Sequence, residues 1–365
     1  MTSKAPSQPR PARRWFVKLH RWLGIGAAIF WLIQAVTGIF MSFHFEIDDA
    51  LLSSKSVPTD MAAVERRVDS FASAGEKSKI YYVWTTAGSP DRYLIYYAGA
   101  DGSAKRAYLD GAGDILENRP ADQYSFLKLM REIHIDLMAG DTGHWIMAVT
   151  GTLLVTNLIF GLVIAWPRKG WWRSALKPTN RGGPAARTYS WHRAIGLWAV
   201  IPAIVIAGTG TLMLFEHEIR DLVGAPETEL PANPAQGEPV GLARAIHAAV
   251  AAIPGSRFSG ATLSSSEDAS YYVWVRAPGE LYRDDGYGAS LVIINGNDAS
   301  VRGAYPITQA SSAQQIISSF YPLHTGESLG LLGRILALAI AIWLATTVIL
   351  GLMLWLRKRP KKKTA

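Results

Sequence analysis

Two short stretches of this chain occur twice, and each copy carries a histidine. Leu19-His20-Arg21-Trp22-Leu23-Gly24 returns as Trp191-His192-Arg193-Ala194-Ile195-Gly196, and His134 followed by Gly143-His144-Trp145 returns as His324 followed by Gly333-Arg334-Ile335. Each histidine adjoins the start of a long uncharged run. Neutral imidazole ligates metal near neutral pH, and two imidazoles opposed at one depth can hold the iron of a flat macrocycle from both faces. The repeat supplies that arrangement twice, as His20 with His192 and His134 with His324, so the chemistry in view is two haems with paired histidine ligands. The chain has no cysteine. That removes thioether attachment, iron–sulfur ligation, disulfides and thiol catalysis, so any haem here is held by His or Met without a covalent link, and two b-type haems are expected. A single histidine at the mouth of a span ordinarily caps a helix or meets the interface, and a metal without porphyrin stays open as a reading. Two facing histidines make a poor closed zinc site, which takes four ligands.

The other histidines differ in weight. His44 and His217 lie at the far ends of spans, but the repeat sets His44 against Glu216 and Phe45 against His217, one residue out of step. They form a second tier of candidate ligands. His144 aligns with Arg334, so that position is expected to meet an anion, either a haem propionate or a lipid headgroup. Arg21 and Arg193, next to proposed ligands, would contact propionates or simply anchor the chain at a membrane face. His247 has no counterpart and reads as surface. Gly24, Gly38, Gly161, Gly196, Gly210 and Gly351 recur at matched places, where a missing side chain lets a backbone approach a flat ring or a neighbouring helix. Trp22, Trp145, Trp166, Trp171 and Trp172 near span ends read as an interfacial belt.

Four runs without Asp, Glu, Lys, Arg or His must position these residues: Trp22–Phe43, Trp145–Pro167, Ala194–Phe215 and Ile335–Leu356. Each is about 22 residues, roughly 33 Å of helix, enough to cross a bilayer. The first follows basic residues, as a signal peptide would, but it is too long and lacks a small-residue cleavage site; it reads as a retained anchor. The net charge of +8 is unevenly spread: residues 1–21 hold six basic and no acidic residues, 168–193 seven and none, 357–365 six and none. All 29 acidic residues lie in 44–144 and 216–334, against 18 basic ones. Short basic loops stay in the cytoplasm, so both termini and 168–193 are expected there, with the acidic segments outside. Topology and anionic lipid account for the basic tail, and no nucleic-acid partner is expected. Ionisable residues within the runs are too few for coupled transport, and no triad, HExxH, P-loop or dinucleotide fingerprint occurs.

The fold class predicted is a membrane α-helical, four-span bundle with internal parallel duplication, plus two small α+β domains. Its parts are an N-terminus (1–21), spans at 22–43, 145–167, 194–215 and 335–356, outer domains at 44–144 and 216–334, a basic loop (168–193) and a tail (357–365). An offset of 172 that aligns His20 with His192 also brings Thr37-Gly38 onto Thr209-Gly210 and Glu46-Ile47 onto Glu218-Ile219. An offset of 190 superposes Tyr81-Tyr82-Val83-Trp84 on Tyr271-Tyr272-Val273-Trp274, His134 on His324, Gly143 on Gly333 and Gly161 on Gly351. Both halves begin on one side, so the repeats are parallel. Each outer segment reads as one helix (Met61–Phe71; Gly241–Ile253) followed by half-buried strands, with turns at Asp110-Gly111-Ala112-Gly113 and Asn295-Gly296. The segment Ser125–Leu137 either lies flat on the membrane or continues the second span.

On these residues the chain resembles the PepSY-associated transmembrane family of iron-regulated membrane proteins. The likeness is carried by His20-Arg21-Trp22-Leu23-Gly24, Leu162–Arg168 running into Trp171-Trp172, His192-Arg193-Ala194-Ile195-Gly196, Leu323-His324-Thr325-Gly326 and Trp355-Leu356-Arg357-Lys358. It covers nearly the whole chain. The resemblance implies PepSY-like periplasmic domains, a bacterial inner-membrane location, and a ferrisiderophore reductase with two haems, each between two histidines. Electrons would come from a cytoplasmic reductase or a quinol and pass to a periplasmic ferric chelate. The rival expectation is a membrane sensor or inhibitor whose PepSY-like domains bind a periplasmic protein, with no use for paired histidines.

Overall fold

The computed structural model describes residues 11–358 apart from 54, 87, 90, 226–230, 264, 266–267 and 282–286. The first half runs α1 (Pro11–Gly26), α2 (Ala28–Met41), α3 (His44–Leu52), α4 (Met61–Ala72), β1 (Lys79–Thr85), β2 (Arg92–Ala98), β3 (Ala104–Asp110), β4 (Ile115–Pro120), α5 (Phe126–Asp136) and α6 (Gly140–Ala165). A short α7 (Trp172–Ala175) precedes the second half: α8 (Pro184–Trp198), α9 (Val200–Met213), α10 (Glu216–Leu222), α11 (Leu242–Ala252), β5 (Arg257–Thr262), β6 (Ser270–Arg276), β7 (Ser290–Asn295), β8 (Val301–Tyr305), α12 (Ser312–Ser318), α13 (Phe320–Thr325) and α14 (Gly330–Lys358).

Two helices, Gly140–Ala165 and the stretch Glu327–Lys358 that includes α14, are long and apolar enough to cross a membrane unbroken. The other two expected spans are bent pairs: α1 meets α2 at 65° and α8 meets α9 at 66°. The breaks fall at Ala27 (φ −104°, ψ 3°) and Ala199 (φ −132°, ψ 16°), which the offset of 172 superposes. Gly26 sits beside the first break, and Pro202, three residues past the second, cannot donate to the Trp198 carbonyl; tertiary contacts then hold the bends. One is visible: the Trp343 indole donates to the Ile195 carbonyl at 2.6 Å, an acceptor that a straight helix would give to Ala199. Histidines 20 and 192 therefore sit on segments angled away from the crossing helices.

The two outer segments do not form separate domains. Their strands make one antiparallel sheet in the order β4-β3-β2-β1-β5-β6-β7-β8. The order reads the same from both ends, and the central register pairs Tyr82 with Thr262, Val83 with Ala261 and Trp84 with Gly260. Joining β1 to β5 removes what would be an open edge on each half. The strand correspondence is then β1 with β5 and β2 with β6, an offset of 178 (Lys79 to Arg257, Arg92 to Ser270). The likeness of Tyr81–Trp84 to Tyr271–Trp274 is thus out of structural step, because those residues lie on β1 and β6. Burial gives the true match: Tyr93, Ile95 and Tyr97 point into the core as Tyr271, Val273 and Val275 do. One core lies under the whole sheet, with Val64 and Val68 of α4 and Ala245 and Ala249 of α11 against Val83, Leu109, Ala261, Val292 and Ile294.

A buried ion pair ties the sheet to the bundle. Arg92 of β2 pairs with Asp49 of α3 at 3.8 Å, with side chains 6% and 7% exposed. Its guanidinium also donates to the carbonyls of Asp49, Ser53 and Lys55, while the Thr86 hydroxyl donates to Asp49 at 2.7 Å. Removing one member leaves the other charge buried alone, which costs on the order of 3–5 kcal/mol. Arg92→Met is therefore expected to lower the detergent melting temperature sharply. A melting curve matching that of the native chain would show that the pair carries no such weight.

Candidate functional site

Helix α5 ends at Leu137 in the left-handed conformation (φ 57°), followed by Met138 (φ 58°), before α6 begins. His134 is thus on a short helix of its own, not on the span, packed between α2 and α6. The corner is tight: a Cβ on Gly143 would strike the Asp136 carbonyl, and one on the matched Gly333 would strike the Gly326 carbonyl. Glycine is required at both because the helix bearing the histidine folds back on the span that follows it.

The structure brings both expected pairs together. The rings of His20 and His192 have centroids 6.2 Å apart with planes at 48°, and those of His134 and His324 are 6.1 Å apart at 42°. An ion held by two imidazole nitrogens at about 2.0–2.1 Å, with roughly 1.1 Å more from each nitrogen to its ring centre, sets centroids about 6.3 Å apart. The spacing fits. Among the described residues no group of three or more His, Cys, Asp or Glu gathers as a metal cage, so each pair offers two imidazoles and no further ligand.

Hydrogen bonds fix which nitrogen faces inward. His20 Nδ1 donates to the Asn157 carbonyl (3.1 Å), His192 Nδ1 to that of Thr347 (3.1 Å) and His324 Nδ1 to that of Ile206 (2.8 Å). His134 Nδ1 meets Thr37 Oγ1 at 2.8 Å; that hydroxyl already donates to the Ile33 carbonyl, so it accepts from the ring. Carbonyls cannot donate, so the Nδ1 atoms of His20, His192 and His324 are protonated and their Nε2 lone pairs are available for a metal; with the Thr37 proton on the Ile33 carbonyl, His134 takes the same form. The bonds of His20 and His192 obey the repeat, since Asn157 and Thr347 are 190 apart; those of His134 and His324 do not, one meeting the Thr37 hydroxyl and the other the Ile206 carbonyl.

The matched glycines lie where the rings need them. A Cβ on Gly161 would stand 3.1 Å from His20, on Gly351 3.4 Å from His192, on Gly38 3.4 Å from His134, and on Gly210 2.5 Å from His324. Gly24 instead approaches the Asn157 amide, and Gly196 meets nothing. The amide of Gln34 reaches both the His134 carbonyl and Met147 Sδ, which puts the sheet-side pair level with Met147 on α6. The other pair is level with Asn157 to Gly161. At 1.5 Å per residue the two pairs are roughly 15–20 Å apart along the bundle.

The remaining expected residues fall elsewhere. His44 donates from Nδ1 to the Met41 carbonyl at 2.7 Å and stacks on Phe45; it lies near the sheet-side pair but faces neither ring. His217 is on the surface, its side chain 84% exposed beside Asp221, and His247 is exposed. Arg334 does meet an anion, but that anion is Glu46, gripped through both oxygens, with the Ser42 carbonyl as a further acceptor at 3.0 Å. His144 repeats part of this contact, its Nε2 on the Leu214 carbonyl at 3.0 Å. Both side chains are thus occupied by the chain itself. Arg21 lies exposed over Trp22, and Arg193 is half-buried; among the described residues neither has a carboxylate partner. Beside His44, Phe45 meets Tyr287 edge-on, and Tyr287 in turn sits edge-on to Trp84. Burial pushes its phenol up to about 12, so it remains a neutral donor. Sequence reasoning missed this aromatic cluster, along with Thr37 and Asn157; of these only Thr37 left a trace, in the matched Thr37-Gly38 and Thr209-Gly210.

A family model described as the PepSY-associated TM region matches residues 17–358. No curated protein matches the chain.

Proposed function

Because the chain belongs to the PepSY-associated transmembrane family, we propose that it is a two-haem electron carrier of the bacterial inner membrane, working as a reductase of periplasmic ferric chelates such as ferric siderophores. The observation that carries this reading is the pair of imidazole couples at 6.2 and 6.1 Å, each with two free Nε2 atoms. His20 and His192 would hold one haem near the cytoplasmic face, and His134 and His324 the other beneath the sheet. When bound, haem supplies a one-electron couple. The chain's own part is to fix the rings, exclude water and place the two couples close enough for electrons to pass.

The basic ends and basic loop set the sheet outside, so that each bent pair serves as one of four spans and the halves stand as parallel repeats. Arg21 and Arg193 would pair with propionates of the cytoplasmic-side group. A cytoplasmic reductase or a quinol would supply electrons. Purified full-length protein given haem should show bis-histidine spectra, oxidised and dithionite-reduced, at two haems per chain. His20→Ala and His324→Ala should each remove one. Absence of a Soret band from folded, haem-supplied protein would overturn the proposal.

A further inference from the structure

Asn157 lies within α6 and is 6% exposed, a buried amide in an apolar span. Its backbone carbonyl takes the Nδ1 proton of His20, and its side chain lies beside the same imidazole. The side-chain oxygen is buried without a hydrogen-bond partner, while its nitrogen points toward Gly24, where a Cβ would stand 3.5 Å away. A polar group in a span without a partner is costly and marks function. The other half differs at this point. Thr347, 7% exposed, gives its carbonyl to His192 in the same way, but its hydroxyl is spent on the Leu344 carbonyl at 3.0 Å. Two equivalent ligands thus have inequivalent surroundings, and the difference is one amide oxygen.

That oxygen has a physical consequence if the pair holds iron, so the inference rests on the function proposed above. The negative end of an amide dipole, in a medium of low dielectric, favours the more positive oxidation state. We propose that Asn157 makes the His20–His192 centre the lower-potential member of the two. With both pairs loaded, one electron would pass from the His20–His192 group, which is oxidised, to the His134–His324 group, which is reduced, with no bond or proton transferred. The bias runs toward the sheet, which gives the carrier its direction.

The test is a redox titration of haem-loaded full-length protein, followed by absorbance. His192→Ala, which keeps only the sheet-side group, identifies the step that belongs to it. Asn157→Leu and Asn157→Thr should move the lower step upward, by at least tenfold in the ferric-to-ferrous ratio at the native midpoint, about 59 mV for one electron. The upper step and the haem content should stay put. Thr347→Asn should move the lower step further down, and it decides alone if the Asn157 variants lose the group. An unmoved lower step, or a shift confined to the upper one, overturns the inference while leaving the two-haem reading intact. A native protein without haem would sink that reading instead.

Discussion

Gly210→Ala is expected to empty the His134–His324 pair while leaving the other pair loaded, halving the haem bound per chain. The added methyl would stand 2.5 Å from His324 Cε1 and 2.6 Å from its Nδ1, well inside van der Waals contact. A free side chain would swing aside at little cost, but this ring is held by the Ile206 carbonyl on one side and must keep Nε2 aimed at His134 on the other. Moving it would turn the ring away from His134. The four glycines then predict a graded series. Gly161→Ala, at 3.1 Å from His20, should weaken but not abolish loading. Gly38→Ala and Gly351→Ala, both at 3.4 Å, should cost little, and Gly196→Ala, with nothing nearby, should cost nothing. If the glycines served only general helix packing, the loss would not follow this order, and haem stoichiometry across the five variants would show it.

The contrast between Gly210 and Gly196 also explains how far the sequence could be read. Both recur at an offset of 172 and look equivalent on paper; only the position of the neighbouring helix makes one of them necessary. The histidine pairs were legible because liganding needs a particular side chain at a particular depth, and the repeat wrote both partners down. The turns at Asp110–Gly113 and Asn295-Gly296 were legible because their backbone chemistry is local. Three features were not. Gly26 and Pro202 mark where the helices can break at Ala27 and Ala199, but the bends themselves depend on distant groups such as the Trp343 indole. The tyrosine- and tryptophan-rich match between residues 81–84 and 271–274 misled, since aromatic and β-branched residues suit any half-buried strand and do not fix which strand. The union of two outer segments into one sheet depends on β1 meeting β5, a pairing between segments 178 residues apart that no local pattern announces. The fate of Arg334 illustrates the same limit. Its position called for an anion, and the fold supplies Glu46 from the other half of the chain.

The second large effect concerns conduction across the bilayer and separates the two histidine pairs by role. In vesicles with reductant trapped inside and a ferric chelate outside, oriented protein with two haems should reduce the external iron, read as ferrous capture by a chromogenic chelator. His192→Ala should abolish that flux to the level of empty vesicles, although the sheet-side group remains and still reddens when dithionite is added outside. The reason is distance: the sheet-side pair is roughly 15–20 Å further along the bundle than the lost one, and the intervening space is filled by the aliphatic packing around Trp31, Leu154 and Leu158. Thr347→Val is the matching control, since the Thr347 backbone carbonyl that orients His192 survives it and flux should persist. Were His192→Ala to conduct as well as the native chain, a single sheet-side centre would suffice, and the two-couple route through the membrane would have to be abandoned.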